Sequence, residues 1–334
     1  MQRSSSGVDA SALYYVAPHH AELKTVGVPF VADLCPSKDV FITTLWSAIS
    51  RGTERLVFGG RLPPTEYQRM RAPFQDGEFP FPVKYGYCAV GRVEHGPEAL
   101  IGRDIFALHP HQDRFVVPVP AVTPLPDGLP PRRAILAANI ETALNAIWDA
   151  GVTPGERVLV VGAGTVGLLI ASILGRIAGV ELTVCDTNAG RRMIVESFGA
   201  KFRLPAETAG LDADAVFHTS ASEAGLRTSL EACGFEARVV EVSWFGSGDV
   251  AIPLGGAFHA GRLRIVSSQV GSVATSHRAR WSYRRRMDMA LALLLDDRLD
   301  ALITHEVAFR DLPAVLPELL RADADVLTVA VRYG

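Results

Sequence analysis

Apolar positions change character once along the chain, near Pro130. Before it they come in short alternating runs between turn residues. Residues 12–32 predict a β-hairpin, Leu13-Tyr14-Tyr15-Val16 against Glu22-Leu23-Lys24-Thr25-Val26. Residues 39–47 predict another strand, and Ser47-Ala48-Ile49-Ser50-Arg51-Gly52-Thr53-Glu54 a turn into a short helix. Residues 73–85, rich in Pro, Phe and Gly, suit a loop, while 85–93, 104–108 and 114–119 return to strand. Many short strands with few helical patterns predict an all-β, barrel-like first part.

Beyond Pro130 the apolar runs lengthen and alternate between helix and strand spacing. Helical patterns cover 133–150, 168–177, 191–198 and 223–233. Strand patterns cover 158–161, 181–185, 213–218, 237–242 and 262–267. This alternation predicts an α/β doubly wound sheet, expected to hold about six parallel strands. A long helix over 281–296, a strand at 302–309, a helix at 313–320 and a closing strand at 326–333 complete the chain. The predicted division is a dinucleotide-binding domain at 142–271 and a β-rich substrate domain at 1–141 plus 272–334.

Residues 157–186 carry the sharpest chemical signal. A buried-type strand, Val158-Leu159-Val160-Val161, runs into Gly162, Gly164 and Gly167 at G-x-G-x-x-G spacing, and a helix follows. Gly162 permits the tight turn, Gly164 lets a pyrophosphate approach the backbone, and Gly167 lets helix and strand pack closely. Free N–H groups at the helix start, around Thr165 and Val166, attract phosphate. Asp186 ends the next strand, where a carboxylate accepts hydrogen bonds from the adenosine ribose. A carboxylate there repels a 2′-phosphate and favours NAD over NADP; Arg191 and Arg192 close by soften that preference.

Composition narrows the picture. A chain of 334 residues with 48% hydrophobic and 21% charged residues is long for one core and suits two soluble domains. A net charge of −3 gives no general pull toward nucleic acid or anionic membrane. The basic run Arg284-Arg285-Arg286 lies in a helical pattern and reads as a solvated face or a domain contact. Cys35, Cys88, Cys185 and Cys233 are scattered, without C-x-x-C pairs, which fits a reducing cytoplasm. The most apolar stretch, 158–174, is broken by the three glycines and is no membrane span. The start, Met1 to Asp9, lacks the apolar core of a signal peptide and reads as a frayed tail.

The β-rich first part, the central dinucleotide pattern and the short return segment together resemble the medium-chain dehydrogenase/reductase family, alcohol dehydrogenase-like. Val152-Thr153-Pro154-Gly155-Glu156-Arg157-Val158-Leu159-Val160 and Leu299-Asp300-Ala301-Leu302-Ile303-Thr304-His305 carry the likeness over nearly the whole chain. The turn at 47–54 resembles that of a subgroup containing bacteriochlorophyllide dehydrogenases. The resemblance implies a GroES-like β-rich domain, a Rossmann domain, an alcohol or carbonyl substrate and a homodimer paired through the last strand of the dinucleotide sheet. It implies cofactor contacts at Thr142 and near Ser243-Trp244 as well. Zinc-type members place their catalytic ligands where this sequence has Ser50, Tyr87-Cys88 and Ala138, so no zinc is expected. His109-Pro110-His111-Gln112-Asp113 offers an alternative H-x-H-x-D pattern, with Cys88 or Glu141 as further ligands, but reads more simply as a polar loop.

Without a Lewis acid, a side-chain donor must polarise the carbonyl. Tyr87 is the first candidate, assisted by a cation such as Arg51 or Lys84, against a plain packed tyrosine. Ser50 and Thr53 are candidates for relay or substrate contact, against helix capping. Glu54 reads as structural, His109 as the alternative acid/base, and His218 as a satisfied structural imidazole. The expected function is NAD-dependent hydride transfer with an alcohol or ketone, without zinc. The alternatives are reduction of an activated C=C bond, and NAD binding with little catalysis.

Overall fold

A computed structural model of the protein describes residues 7–334. Residues 1–6, most of the stretch read as a frayed tail, lie outside the described residues. Gly7 already belongs to a strand, Gly7–Ala17, paired antiparallel with His20–Pro29 as the expected hairpin. Two compact units divide the chain. One comprises the chain up to Ala138 together with Ile303–Gly334; the other is Asn139–Leu302.

In the first unit the strand Asp39–Ile49 is the organising element. It pairs antiparallel with Ala89–His95, Arg114–Pro118 and the C-terminal Thr328–Arg332, and Ile303–Ala308 lies parallel to the last of these. Val40 and Ile42 are buried with Val93, Ile105, Phe115 and Val117 in one apolar cluster. The C-terminal strand Thr328–Arg332, buried at its first four residues, joins this sheet beside Trp46 to Ile49. The helix Arg51–Phe58 follows at once and buries Glu54, Leu56, Val57 and Phe58. One predicted strand starts late. Residues 85–88 form a loop because Gly86 has φ +116°, which takes the backbone out of the extended region; the strand begins at Ala89.

The second unit holds a six-stranded parallel sheet among the described residues. Its order is Lys201–Arg203, Glu181–Cys185, Arg157–Val161, Ala213–His218, Cys233–Glu241, Arg264–Ser267. This is the doubly wound arrangement, with the chain reversing direction of travel beside Arg157–Val161. Val158 to Val161 are all buried, and the helix Thr165–Leu174 is apolar nearly all round because the sheet covers one side and other elements the rest. The three-residue edge strand Lys201–Arg203 has only Phe202 buried, so no apolar run announces it. No helix of the described residues is long and apolar enough to cross a membrane.

Residues 272–302 belong with this second unit, not with the β-rich part where the sequence pattern had put them. One of the ties is Arg286 on the helix Tyr283–Leu293. Its guanidinium donates to Glu141 Oε1 at 2.9 Å, Asn145 Oδ1 at 2.7 Å and the Val270 carbonyl at 2.6 Å. The basic run is thus split. Arg284 pairs with Asp288 and Arg285 stacks over Trp281 at the surface, while Arg286 is 2% exposed. Removing one partner of a buried ion pair leaves the other charge uncompensated. Arg286→Ala should therefore destabilise the protein by about 3–5 kcal/mol, read as a fall in urea midpoint. An unchanged midpoint would show that this pair does not hold the helix.

Candidate functional site

In the glycine loop of the second unit, two of the three glycines are sterically required and the third stands open. At Gly162 φ is +109°, and a Cβ there would meet Ser220 N at 2.9 Å. At Gly167 a Cβ would meet the Gly162 carbonyl oxygen at 1.9 Å, so only glycine lets the helix sit this close to the strand. Around Gly164 nothing lies within 4 Å of the Cβ position. Gly164, Thr165 and Val166 reach solvent, whereas Gly162, Ala163 and Gly167 are buried. The solvent-facing start of a ten-residue helix, Thr165–Leu174, is a site of the kind that binds phosphate.

Asp186 stands beside this loop. Its Oδ2 accepts from Ala163 N at 2.6 Å and its Oδ1 from Asn188 N at 2.7 Å. Each carboxylate oxygen keeps a further lone pair, so ribose hydroxyls can still be bound. Arg192 lies over the Phe202 ring at 4.8 Å and 3.6 Å from Glu196; Arg191 stands just before the short helix Arg192–Ser197. Ser243 is held by the neighbouring loop: its N–H donates to Glu241 Oε1 at 2.8 Å and its Oγ accepts from Ala221 N at 3.0 Å. Thr142 is partly exposed and sits in the second turn of the helix Ala137–Ala150, not at its start. His218 is fully buried, with Nδ1 on Glu241 at 2.7 Å and Nε2 on Ser220 at 2.8 Å, a satisfied imidazole.

In the first unit three of the four catalytic candidates come together. The Ser50 and Thr53 hydroxyls lie close enough to the Tyr87 phenol to favour its ionised form. Burial pushes the Tyr87 phenol well above its ordinary value of 10, and the two hydroxyl partners oppose that rise. Ser50 is buried, while Tyr87 and Thr53 are partly exposed. The cations expected to assist Tyr87 are engaged elsewhere. Arg51 donates to the carbonyls of Leu319, Arg321 and Val326, and Lys84 donates to Gln112 Oε1 at 2.8 Å.

Behind this cluster lies a buried network that the sequence did not reveal. Glu54, 0% exposed, accepts from Ser50 N at 2.7 Å, the Tyr15 hydroxyl at 2.6 Å and His111 Nε2 at 3.1 Å. His111 Nδ1 faces Ser47 Oγ at 2.7 Å, and Ser47 Oγ lies 3.0 Å from the Tyr333 hydroxyl. The Nε2–H tautomer gives one consistent chain, from Tyr333 through Ser47 and His111 to Glu54. Only the acid at the helix start and the second histidine of H-x-H hinted at it.

The H-x-H-x-D stretch is a polar loop, but a buried one that fastens neighbouring segments. His109, His111 and Gln112 are buried, and Asp113 Oδ1 accepts from Ser11 N at 2.8 Å. The two imidazoles serve different partners. His109 stacks on Phe115 at 3.8 Å between centroids and meets the Pro110 carbonyl at 2.9 Å. Among the described residues no group of three or more His, Cys, Asp or Glu side chains is arranged to hold a metal ion. Burial drives the His109 pKa down from 6.5 to about 3, which leaves it unsuited to general-acid work near neutrality. The unfolded chain protonates His109 below 6.5 and the folded chain does so only near 3, so folding loses stability as pH falls through that window. His109→Gln should flatten this dependence by up to about 1.4 kcal/mol per pH unit, measured by urea unfolding at several pH values. Parallel slopes in the two proteins would contradict it.

No family profile matches the chain. An L-galactonate-5-dehydrogenase of Escherichia coli is 38% identical over 89 residues, covering 27% of this chain and 25% of that protein. A D-guloside 3-dehydrogenase of Escherichia coli is 26% identical over 203 residues, covering 57% and 58% of the two. The matched stretches thus span between a quarter and 58% of these relatives' lengths. Among solved structures, a dehydrogenase of Sinorhizobium meliloti bound to NADP superposes with TM-score 0.76 at 19% identity, covering 97% of this chain and 99% of that one. An alcohol dehydrogenase of Escherichia coli complexed with NADH gives 0.75 at 16% identity, covering 98% and 100%. The chain has the fold of the zinc-type alcohol dehydrogenase-like medium-chain dehydrogenases, a GroES-like β-rich unit and a Rossmann unit on one polypeptide.

Proposed function

We propose that the protein is an NAD-dependent oxidoreductase that moves a hydride between nicotinamide and an alcohol or ketone without catalytic zinc. The observation that carries this reading is the residue set at the positions where the resemblance puts zinc ligands, Ser50, Tyr87-Cys88 and Ala138, with the Thr53 hydroxyl beside Tyr87. Neutral hydroxyls make poor zinc ligands, and the adjacent Cys88 thiol is pushed well above its ordinary value by burial. That donor set does not suit Zn²⁺.

The N–H groups at Gly164, Thr165 and Val166 would hold the cofactor's pyrophosphate and Asp186 its adenosine ribose, with Arg191, Thr142 and Ser243 as further contacts. The nicotinamide supplies the hydride when bound. Tyr87, kept protonated by its surroundings, donates its phenolic proton to the substrate carbonyl oxygen. Ser50 and Thr53 then stabilise the phenolate that remains. Arg192 is drawn toward Phe202 and Glu196, which supports NAD over NADP. The relatives named for L-galactonate and D-guloside make a small polyhydroxylated alcohol the first substrate class to test; the bulky hydroxyethyl-type alcohol suggested by the turn at 47–54 is the second. A homodimer paired through the edge strand Arg264–Ser267, working in the cytoplasm, belongs to the same proposal. A phenol that donates more readily than it accepts also suits reduction of an activated C=C bond, where the oxygen needs only a hydrogen-bond donor. Ketone-dependent against enone-dependent loss of NADH separates the two.

Tyr87→Phe should lower turnover by about 10²–10⁴-fold with the fold retained. Full turnover in a folded variant would take the proton-donor role away from Tyr87. Asp186→Ala should raise the Kd for NAD more than that for NADP, read by fluorescence titration of each; an unchanged ratio removes the argument for NAD.

A further inference from the structure

Four contacts of His111 bear on the catalytic cluster from two directions. Its backbone N–H donates to the Tyr85 carbonyl at 3.2 Å, fixing the segment that leads to Tyr87. Its ring lies directly against Gly86: a Cβ there would stand 2.8 Å from His111 Cδ2 and 3.0 Å from Nε2. Its Nε2 bonds Glu54 Oε2 at 3.1 Å, and the other Glu54 oxygen accepts from Ser50 N. Its Nδ1 is anchored by Ser47, which also meets Tyr333. The imidazole, 1% exposed, therefore touches the Tyr85-Gly86-Tyr87 loop on one side and the Ser50-to-Glu54 turn on the other.

We infer that His111 is a positioning residue for the Tyr87 site. Held by Ser47 and Glu54, its ring sets the loop carrying Tyr87 against the turn carrying Ser50 and Thr53, in the register that lets both hydroxyls bond the phenol. A positive φ at Gly86 is needed to bring that loop over the ring, and a side chain at position 86 would displace it. The role assigned to His111 matters for chemistry only if Tyr87 handles the proton, as proposed above, but the geometry it maintains can be read without turnover.

The test is NMR of the full-length protein labelled on its seven tyrosines, with the Tyr87 signal assigned by Tyr87→Phe. His111→Asn keeps a group able to reach Ser47 but is too short to bond Glu54, whereas the Gln amide can reach the place of Nε2. The Tyr87 resonance should shift toward that of an exposed tyrosine, or split, in His111→Asn, and return toward its original position in His111→Gln. The Tyr67 and Tyr283 signals should stay in place in both variants. A Tyr87 signal unmoved in folded His111→Asn would overturn the inference, as would a shift that His111→Gln fails to reverse. If His111→Asn does not fold, Ser47→Ala carries the test by removing the Nδ1 partner, with the same expected shift and the same refutation by an unmoved signal. Full turnover in Tyr87→Phe would remove the catalytic assignment while leaving this result standing, so the two can fail separately.

Discussion

A carboxyl group taken wholly out of water must have its oxygens answered by donors, or the fold loses several kcal/mol. Glu54 imposes that demand on the first unit. Its three donors come from three separate parts of the chain: the turn at Ser50, the first strand at Tyr15 and the buried segment at His111. Satisfying one residue therefore fixes the hairpin, the turn and the 109–113 segment against one another. The aromatic packing follows from this anchoring, since the Tyr15 ring that presents its hydroxyl to Glu54 also lies edge-on to Phe58 at 5.2 Å. The C-terminal return is tied in by the same logic, through Ser47 and the Tyr333 hydroxyl.

The second unit depends on a constraint of another kind. There the determining quantity is space, because the Gly162 carbonyl occupies the volume a side chain at position 167 would need. Thr219 completes the arrangement by donating its hydroxyl to that carbonyl at 2.8 Å, so the oxygen is satisfied as well as crowded. Helix and strand can approach only with glycine at 167, and the start of the helix, at Gly164, Thr165 and Val166, faces solvent. The solvent-facing helix start is thus tied to close packing, which is why the loop is so strongly encoded in glycine spacing.

This difference explains what could be read from the sequence. Steric constraints leave a signature in residue type: Gly162 and Gly167 announced theirs, and the β-branched runs announced the central strands. A short edge strand such as Lys201–Arg203 buries one side chain and leaves no periodic trace. Networks leave less still, because their members are far apart in sequence and ordinary in type. Nothing about Tyr15, Ser47, Glu54, His111 and Tyr333 marks them as partners until the sheet brings Thr328–Arg332 beside Asp39–Ile49. The location of Tyr87 was legible, through its neighbours Gly86 and Cys88, but the partners of its hydroxyl depended on a turn conformation that the sequence suggested only in outline. Arg286 was misread for a related reason: three consecutive arginines look alike, yet on a helix they point in different directions, and one faces inward.

The balance acting on Tyr87 gives the site its chemical character. Burial disfavours the phenolate, whereas the Ser50 and Thr53 hydroxyls favour it. A phenol governed by the first effect alone would be an inert packing residue. One governed by the second alone would lose its proton too readily to donate it. In the proposed role, the two together would hold the proton in place while the neighbouring hydroxyls answer the charge left when it departs, with little reorganisation. Such a balance is sensitive to sub-ångström placement of the two hydroxyls, and here their placement depends on a turn pinned by Glu54. The cost of burying that carboxyl is therefore linked to function: it makes the turn rigid where the proposed chemistry requires rigidity.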